Sequence, residues 1–292
     1  MQASNRPRRS VLYMPGSNSR AIEKSRSLSA DCLILDLEDA VSTNEKQTAR
    51  DKIISAVQAG GFGHREIVVR INALNTPWGT DDLNAVANAD IDAVLIPKAE
   101  SHDDIDAVAN ILTQAGATEL PIWIMAETPR GIINLNTIAA HPRVTVIVMG
   151  TSDLAKDLHV SPLGDRTGLQ YALGAAIMAA RAQGLDIIDG VHLDMNDTKG
   201  FENACEQGRE LGFDGKSLLH PRQISPANNA FGISQASADQ AYEIVDAWQA
   251  GRAENKGIIV VHGRLVEQLH VDEAHRILHL HALIKERDQN SQ

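Results

Sequence analysis

The sequence lacks the features that would place the protein outside the cell or within a membrane. It has only two cysteines, Cys32 and Cys205, so it offers neither a disulfide framework nor a zinc-type spacing. No apolar run approaches the length of a transmembrane helix. The stretch Val11–Met14, which follows basic N-terminal residues, is too short for a signal peptide. These absences predict a cytoplasmic protein.

The chain is also poor in aromatic side chains and in positive charge. Phe, Trp and Tyr make up 3% of the residues, so the core must consist of Val, Ile, Leu and Ala, which suits parallel strands buried on both faces. The formal net charge of −11 argues against nucleic acid or a membrane surface as a partner. An anionic small-molecule substrate stays open, because its binding depends on the charges of one site.

Short Val/Ile/Leu-rich runs alternate with helix-like segments up to about Ser225. The predicted strands are Ser10–Met14, Cys32–Asp36, Ile67–Asn72, Ala93–Pro97, Ile122–Ala126, Val144–Gly150, Ile187–Leu193 and Gly215–Leu219. The predicted helices between them are Ala21–Leu28, Thr48–Ala59, Thr80–Ala87, Asp103–Ala115, Ile132–Ala140, Gly168–Gln183 and Gly200–Leu211. No glycine-rich dinucleotide fingerprint follows the first strand, which weakens the doubly wound alternative. The pattern predicts a TIM (β/α)₈ barrel.

Beyond Ser225 the alternation changes. We expect a helix over Ala236–Gly251, a short strand over Gly257–Val261 and a final helix from about Asp272 to Lys285. The chain therefore divides, in this prediction, into a catalytic barrel over residues 1–224 and a C-terminal helical lid or oligomerisation segment over residues 225–292.

Two apolar runs end in carboxylates, at Glu127 and at Asp153. In a barrel, catalytic groups gather at the C-terminal ends of the strands. Two hard oxygen ligands at neighbouring strand ends suit Mg²⁺ with positions left open for substrate. The alternatives are two exposed loop carboxylates or helix caps. Close carboxylates repel each other unless a cation lies between them, which favours the metal site.

Arg70 is a charged residue in the core-like run Val68–Asn72. A buried arginine is costly unless it meets an anion. That anion is either a structural partner, Asp36, Glu38 or Asp39, or the substrate. We favour the substrate, because a guanidinium can bind a carboxylate or stabilise a developing enolate.

Arg20 and Lys24 follow the first strand and, four residues apart, share one helix face. Beside a helix N-terminus they could hold phosphates, although for this spacing alone a solvated basic edge is the better explanation. His220 follows the eighth strand and either contacts substrate or fixes the turn.

Seven motifs, in order along nearly the whole chain, resemble the citrate lyase β-subunit-like (CoA ester lyase) family of the HpcH/HpaI aldolase superfamily. The motifs are Arg9–Asn18, Leu33–Ala40, Val69–Asn72, Ile96–Lys98, Met125–Thr128, Met149–Leu154 and Gly215–Pro221. The resemblance implies a TIM barrel with Mg²⁺ at Glu127 and Asp153 and with Arg70 in the active site. It also places Tyr13, Arg20 and Lys24 at the CoA moiety. Family members form homotrimers or hexamers in which one subunit's C-terminal segment covers a neighbour's site.

The sequence departs from the family in that C-terminal segment. Relatives carry Asp-Gly-Lys-Met-Val/Ile-Asp, whose second Asp is the catalytic acid of the lid. In this chain the corresponding segment is His262–Glu267, so Glu267 takes the place of that Asp and its side chain is one methylene longer. We expect Glu267 to keep the catalytic role, the alternative being a purely structural one. The pattern Gly263–His270 is similar to bacterial (3S)-citramalyl-CoA lyases.

The resemblance implies a Mg²⁺-dependent carbon–carbon lyase of the oxo-acid-lyase class, and the best candidate reaction converts citramalyl-CoA to acetyl-CoA and pyruvate. Near alternatives are a malyl-CoA lyase or thioesterase, or a citryl lyase β-subunit that uses an acyl-carrier protein. A class II hydroxy-keto acid aldolase is more distant, since Arg20 and Lys24 argue against it. A non-catalytic acyl-CoA-binding protein conflicts with the retained metal ligands and Arg70.

Overall fold

The protein is described by a computed structural model over residues 6–161, 164–253 and 257–290. Eight parallel strands close into a barrel in sequence order, with β1 paired to both β2 and β8. The strands are β1 Ser10–Pro15, β2 Cys32–Asp36, β3 Glu66–Arg70, β4 Ala93–Ile96, β5 Ile122–Ala126, β6 Val144–Met149, β7 Asp186–Asp189 and β8 Gly215–Leu218. The predicted barrel fold is confirmed.

Helices follow the strands around the outside of the barrel. They are α1 Ser19–Ser25, α2 Lys46–Ala59, α3 Gly79–Val86, α4 His102–Gln114, α5 Pro129–Ala139, α6 Thr151–Asp157, α7 Gln170–Gln183, α8 Thr198–Leu211 and α9 Ile224–Ala230. Of the helices described in the chain, none combines the length and apolar character that a membrane crossing needs.

The helix caps of α4 and α5 end the loops that follow β4 and β5. The Thr128 hydroxyl accepts the N–H of Gly131 and caps α5, and Pro129 occupies the first helical position, where its missing N–H costs nothing. Ser101 and Asp104 form a reciprocal capping box at the start of α4. The chain therefore passes from strand to helix within a few residues, which holds strand-end side chains such as Glu127 in fixed positions.

The core has two layers on either side of the barrel wall. Inward-facing residues such as Val11, Ile34, Val68 and Trp123 fill the barrel, and a larger apolar layer packs between strands and helices. Side chains alternate across a strand with a period of two. Because of this alternation, the inward-facing positions at the C-terminal ends of the strands include polar residues.

Ion pairs close the N-terminal end of the barrel. Arg8 donates through Nε and Nη2 to the two carboxylate oxygens of Glu66, at 2.7 Å each, and also pairs with Asp186. Its guanidinium carbon lies 5.2 Å from the centre of the Trp123 ring. Arg8 and both carboxylate residues are buried. One buried guanidinium, held between two carboxyl groups, therefore forms the floor beneath the apolar interior.

Residues 232–290, together with residues 6 and 7, form a second compact unit. It contains α10 (Gln235–Ala253) packed on α11 (Gln268–Asn290), and a hairpin of β9 (Ile259–Val261) and β10 (Arg264–Val266). The first unit extends through Phe231, because α9 packs on β1 and β8. The sequence-based boundary between residues 224 and 225 falls inside α9, before this division.

Candidate active site

The C-terminal end of the barrel opens into a cavity of about 340 Å³. Four of the residues selected from the sequence line it: Tyr13, Arg70, Glu127 and Asp153. Near β7 and β8 the lining includes three apolar residues from the loops after these strands, Val191, Leu193 and Leu219, and the polar Ser217 of β8. The cavity therefore has a charged face and a mainly apolar face.

Glu127 is held deep in this cavity. Its side chain is 3% exposed, and Oε1 accepts the backbone N–H of Lys98 at 2.8 Å. A Cβ atom at position 150 would lie 2.3 Å from the Cβ of Glu127, so only glycine fits beside it. Burial, and then the negative charge of Glu38, raise the pKa of Glu127 to about 7. The surrounding protein thus does not fully compensate the negative charge of the Glu127 carboxylate.

Asp153 lies in the first turn of α6, and its side chain is about one-third exposed at 38%. Its Oδ2 is 3.3 Å from Nζ of Lys98. The same Nζ lies 3.4 Å from Oε1 of Glu38. Lys98 therefore connects Glu127, through its backbone, with Asp153 and Glu38, through its ammonium group.

Arg70 makes the structural ion pairs that were one of its two sequence-based interpretations. Its Nε and Nη2 bind the two oxygens of Asp36 at 2.6 Å each, and Nη1 is 2.9 Å from Glu38. Asp36 is itself fixed, since it also accepts the N–H groups of Glu38 and Ala40. Arg70 still lines the cavity. The pairs orient the guanidinium and do not withdraw it from a ligand.

Tyr13 lies inside the barrel mouth and not at an outer rim. Its ring centre is 4.9 Å from the guanidinium carbon of Arg70, a distance typical of a cation–π contact. The phenol donates to the sulfur of Met125 at 3.3 Å, and burial raises its pKa. Arg20 and Lys24 are exposed on α1 and are not among the residues lining the cavity. The three residues expected at the CoA moiety are thus divided between the cavity and the surface helix.

His220 is not among the described residues that line the cavity, and Glu267 belongs to the second compact unit. Glu267 is exposed in the second unit, between β10 and α11, and its N–H donates to Nδ1 of His270. Its role as a lid acid stays a prediction. Nδ1 of His220 accepts the N–H of Arg222 and caps the turn Pro221–Gln223, so His220 fixes that turn.

The residues of the cavity fit a divalent cation. Among the described residues, the carboxyl groups of Asp36, Glu38, Asp39, Glu127 and Asp153 lie in or beside the cavity, and the cationic groups that contact them there belong to Arg70 and Lys98. Carboxyl groups therefore outnumber these cationic groups by three. Carboxylate oxygens are the ligands that Mg²⁺ prefers. Glu127 and Asp153, which make no direct contact with Arg70 among the described ion pairs, are the residues that can hold such an ion.

Sequence reasoning missed two features of the site. The left-handed backbone of Lys98, with φ of 49°, has no signature in the sequence, and its contacts with Glu38, Glu127 and Asp153 do not follow from its place after a predicted strand. Gly150 was read as the end of a strand, although its absent side chain makes room for Glu127. Both depend on contacts between different strands.

The sequence model of the family described as HpcH/HpaI aldolase/citrate lyase matches residues 9–221. A (3S)-malyl-CoA thioesterase of Cereibacter sphaeroides is 46% identical over 93% of this chain and 94% of its own length. The citrate lyase subunit beta of Escherichia coli is 35% identical over 95% and 94%. The crystal structure of CitE from Mycobacterium tuberculosis in complex with magnesium, acetoacetate and coenzyme A is 27% identical, with a TM-score of 0.75 over 94% of this chain and 97% of that one.

Proposed function

The chain belongs to the HpcH/HpaI aldolase/citrate lyase family, and from this membership we propose that it is a Mg²⁺-dependent lyase that cleaves a carbon–carbon bond in a 3-hydroxy-carboxyacyl-CoA ester. The best candidate reaction converts citramalyl-CoA to acetyl-CoA and pyruvate. The observation that carries the proposal is the two-faced cavity, which combines excess carboxylate charge with a fixed guanidinium and an apolar wall. The M. tuberculosis relative, bound to magnesium and coenzyme A, supports the same ligand classes.

In this proposal Glu127 and Asp153 hold the metal. A bound Mg²⁺ supplies a Lewis acid that lowers the pKa of the substrate hydroxyl group. The buried position of Glu127, fixed by the N–H of Lys98 and by the space at Gly150, restricts that ligand to one location. Arg20 and Lys24 on α1 offer positive charge to the phosphates of CoA.

Arg70 acts on the charge that develops during cleavage. The hydroxyl proton passes to water as the bond from the hydroxyl-bearing carbon to the neighbouring methylene carbon breaks. The electron pair of that bond goes to the methylene carbon, which yields the oxo acid and a thioester enolate. Arg70, already oriented by Asp36 and Glu38, stabilises that enolate without reorganisation. Glu267 then supplies one proton to the enolate carbon, giving acetyl-CoA and restoring the proton balance.

The apolar face predicts a preference for the methyl-bearing substrate. Citramalyl-CoA differs from malyl-CoA by one methyl group, and Val191, Leu193 and Leu219 offer it an apolar surface. One methyl in an apolar pocket changes specificity by roughly 10–200-fold. We expect kcat/KM for citramalyl-CoA to exceed that for malyl-CoA by about tenfold. Dehydrogenase-coupled assays of pyruvate and glyoxylate measure the two rates, and faster release of glyoxylate contradicts the assignment.

A second candidate function is hydrolysis of the thioester of (3S)-malyl-CoA. The 46% identity to a (3S)-malyl-CoA thioesterase favours it. Hydrolysis releases a free CoA thiol and intact malate, whereas cleavage releases acetyl-CoA and glyoxylate. A thiol reagent combined with product identification by mass spectrometry separates the two reactions.

The role of Glu267 makes a separate prediction. Glu267→Gln removes the proton donor, and kcat should fall by about 10²–10⁴-fold. Glu267→Asp retains an acid and should keep most of the activity. The exposed Glu273, paired with Arg276 in the same unit, provides a matched control, because Glu273→Gln alters an exposed carboxylate without removing the donor.

We also propose that the protein is a homotrimer or hexamer in which Glu267 serves a neighbouring subunit. Refolding a mixture of Glu267→Gln and Glu127→Gln chains should then restore part of the activity that each lacks alone. Full activity of Glu267→Gln by itself would refute the proton-donor role.

A further inference from the structure

Lys98 has an unusual backbone for its residue type. It follows β4 with φ of 49°, in the left-handed region that lysine rarely occupies. In this conformation its N–H reaches Oε1 of Glu127 at 2.8 Å. Its ammonium lies 3.3 Å from Asp153 and 3.4 Å from Glu38. One residue thus contacts both proposed metal ligands, one through the backbone and the other through the side chain.

The ammonium group occupies a position where a metal would compete with it. The ammonium is attracted to two carboxylates, those of Glu38 and Asp153. Mg²⁺ binds carboxylate oxygens at roughly 2.0–2.1 Å. A divalent ion at that distance from Asp153 and an ammonium beside the same carboxylate repel each other strongly. The Lys98 side chain is 46% exposed, which gives the ammonium a route into solvent.

We propose that Lys98 is a positioning residue with two separable actions on the metal site. Its N–H holds Glu127 in place in every state. Its ammonium neutralises Asp153 while the metal is absent and withdraws from Asp153 as Mg²⁺ binds. The proposal rests on the metal site of the proposed function and adds that the protein carries its own competitor for that site, which keeps the bound metal exchangeable.

The test is Mg²⁺ binding by the full chain without substrate. The chain is freed of metal with a chelator, dialysed, and titrated with MgCl₂ by calorimetry at fixed ionic strength. Lys98→Met removes the charge at similar length, and Lys98→Gly removes it while accepting the left-handed backbone without steric cost. Both variants keep the N–H to Glu127. Lys98→Arg keeps the charge, and Lys199→Met removes an exposed lysine that pairs with Glu202 on α8.

We expect Lys98→Met and Lys98→Gly to bind Mg²⁺ about tenfold more tightly than the natural chain, because a nearby positive charge is gone. Lys98→Arg and Lys199→Met should stay within about twofold of it. The gain in melting temperature on adding Mg²⁺ should also be larger for the two neutral variants.

The outcomes separate this inference from the proposed function. If the natural chain binds Mg²⁺ and the neutral variants bind it equally or more weakly, the competition is refuted and the metal site stands. If only the neutral variants bind, the competition is supported in its strongest form. If no variant binds Mg²⁺, both the inference and the metal-dependent function are overturned.

Discussion

Glu127→Gln is expected to lower kcat/KM by at least about a thousandfold, since it removes the most deeply buried carboxylate of the proposed metal site. The amide oxygen can still accept the N–H of Lys98, so the local hydrogen bond survives. The negative charge does not survive, and with it goes the affinity for a divalent cation. The variant should therefore show no rise in melting temperature when Mg²⁺ is added, whereas the natural chain should.

The control for Glu127→Gln is Glu100→Gln. Glu100 also follows a barrel strand, but its carboxylate is 37% exposed and lies 3.8 Å from an exposed arginine, Arg130. We expect this variant to keep its activity within about twofold and its response to Mg²⁺ unchanged. Glu127→Gln with undiminished turnover would refute the metal site.

Arg8→Met is expected to lower the free energy of unfolding by about 3–5 kcal/mol, because it leaves Glu66 and Asp186 as unpaired carboxylates in the barrel floor. The cation–π contact with Trp123 is lost at the same time. The methionine fills similar volume, so the effect reports mainly on charge. Urea unfolding followed by circular dichroism measures it.

Two comparisons identify the cause of that destabilisation. Arg209 is an exposed arginine on α8, 3.9 Å from Glu210, and Arg209→Met should cost no more than about 1 kcal/mol. In the second comparison, Glu66→Leu and Asp186→Leu are added to Arg8→Met, which removes the unpaired charges together. Much of the stability should return. An Arg8→Met protein as stable as the natural chain would contradict the role of the ion-pair floor.

The strands were predictable because buried parallel strands are continuous apolar runs. Cys32–Asp36 and Ile122–Ala126 are confirmed at both ends. The seventh strand was predicted too long, to Leu193, and it ends at Asp189. The chain turns away at Gly190, where a Cβ would lie 2.2 Å from the hydroxyl of Thr151. Val191 and Leu193 are apolar because they form the cavity wall, and a sequence pattern does not distinguish a cavity wall from a strand.

Short elements carried too little pattern to be recognised. β10 has three residues, Arg264–Val266, and α6 has seven, Thr151–Asp157. The hairpin depends on positive φ angles at His262 (47°) and Gly263 (77°). Of these two residue types, only glycine indicates a positive φ in a sequence. The last helix begins at Gln268 and not at Asp272, because the polar turn after Glu267 is already helical.

The sequence pattern predicted which residues belong to the candidate site but not the contacts between them. Arg70, Glu127 and Asp153 stand out as polar residues within or directly after apolar strands. Which acid orients Arg70 could not be derived, since Asp36, Glu38 and Asp39 are all within a few residues of one strand end. The structure selects Asp36 for the bidentate bond because its side chain shares the inward parity of Arg70. The contacts of Lys98 and Tyr13 depend on neighbours from three or more strands.

Because the barrel is closed beneath Trp123, the cavity at its C-terminal end does not continue through the barrel. Side chains such as Val68 and Trp123 fill the barrel interior, and Arg8 seals its far end with Glu66 and Asp186. In the proposed reaction, the metal, the substrate and both products would therefore pass through the same opening. In that case the oxo acid bound at Glu127 could not leave while acetyl-CoA still occupied the opening. For the proposed lyase we therefore expect ordered release, in which acetyl-CoA leaves first and the small oxo acid beneath it leaves last.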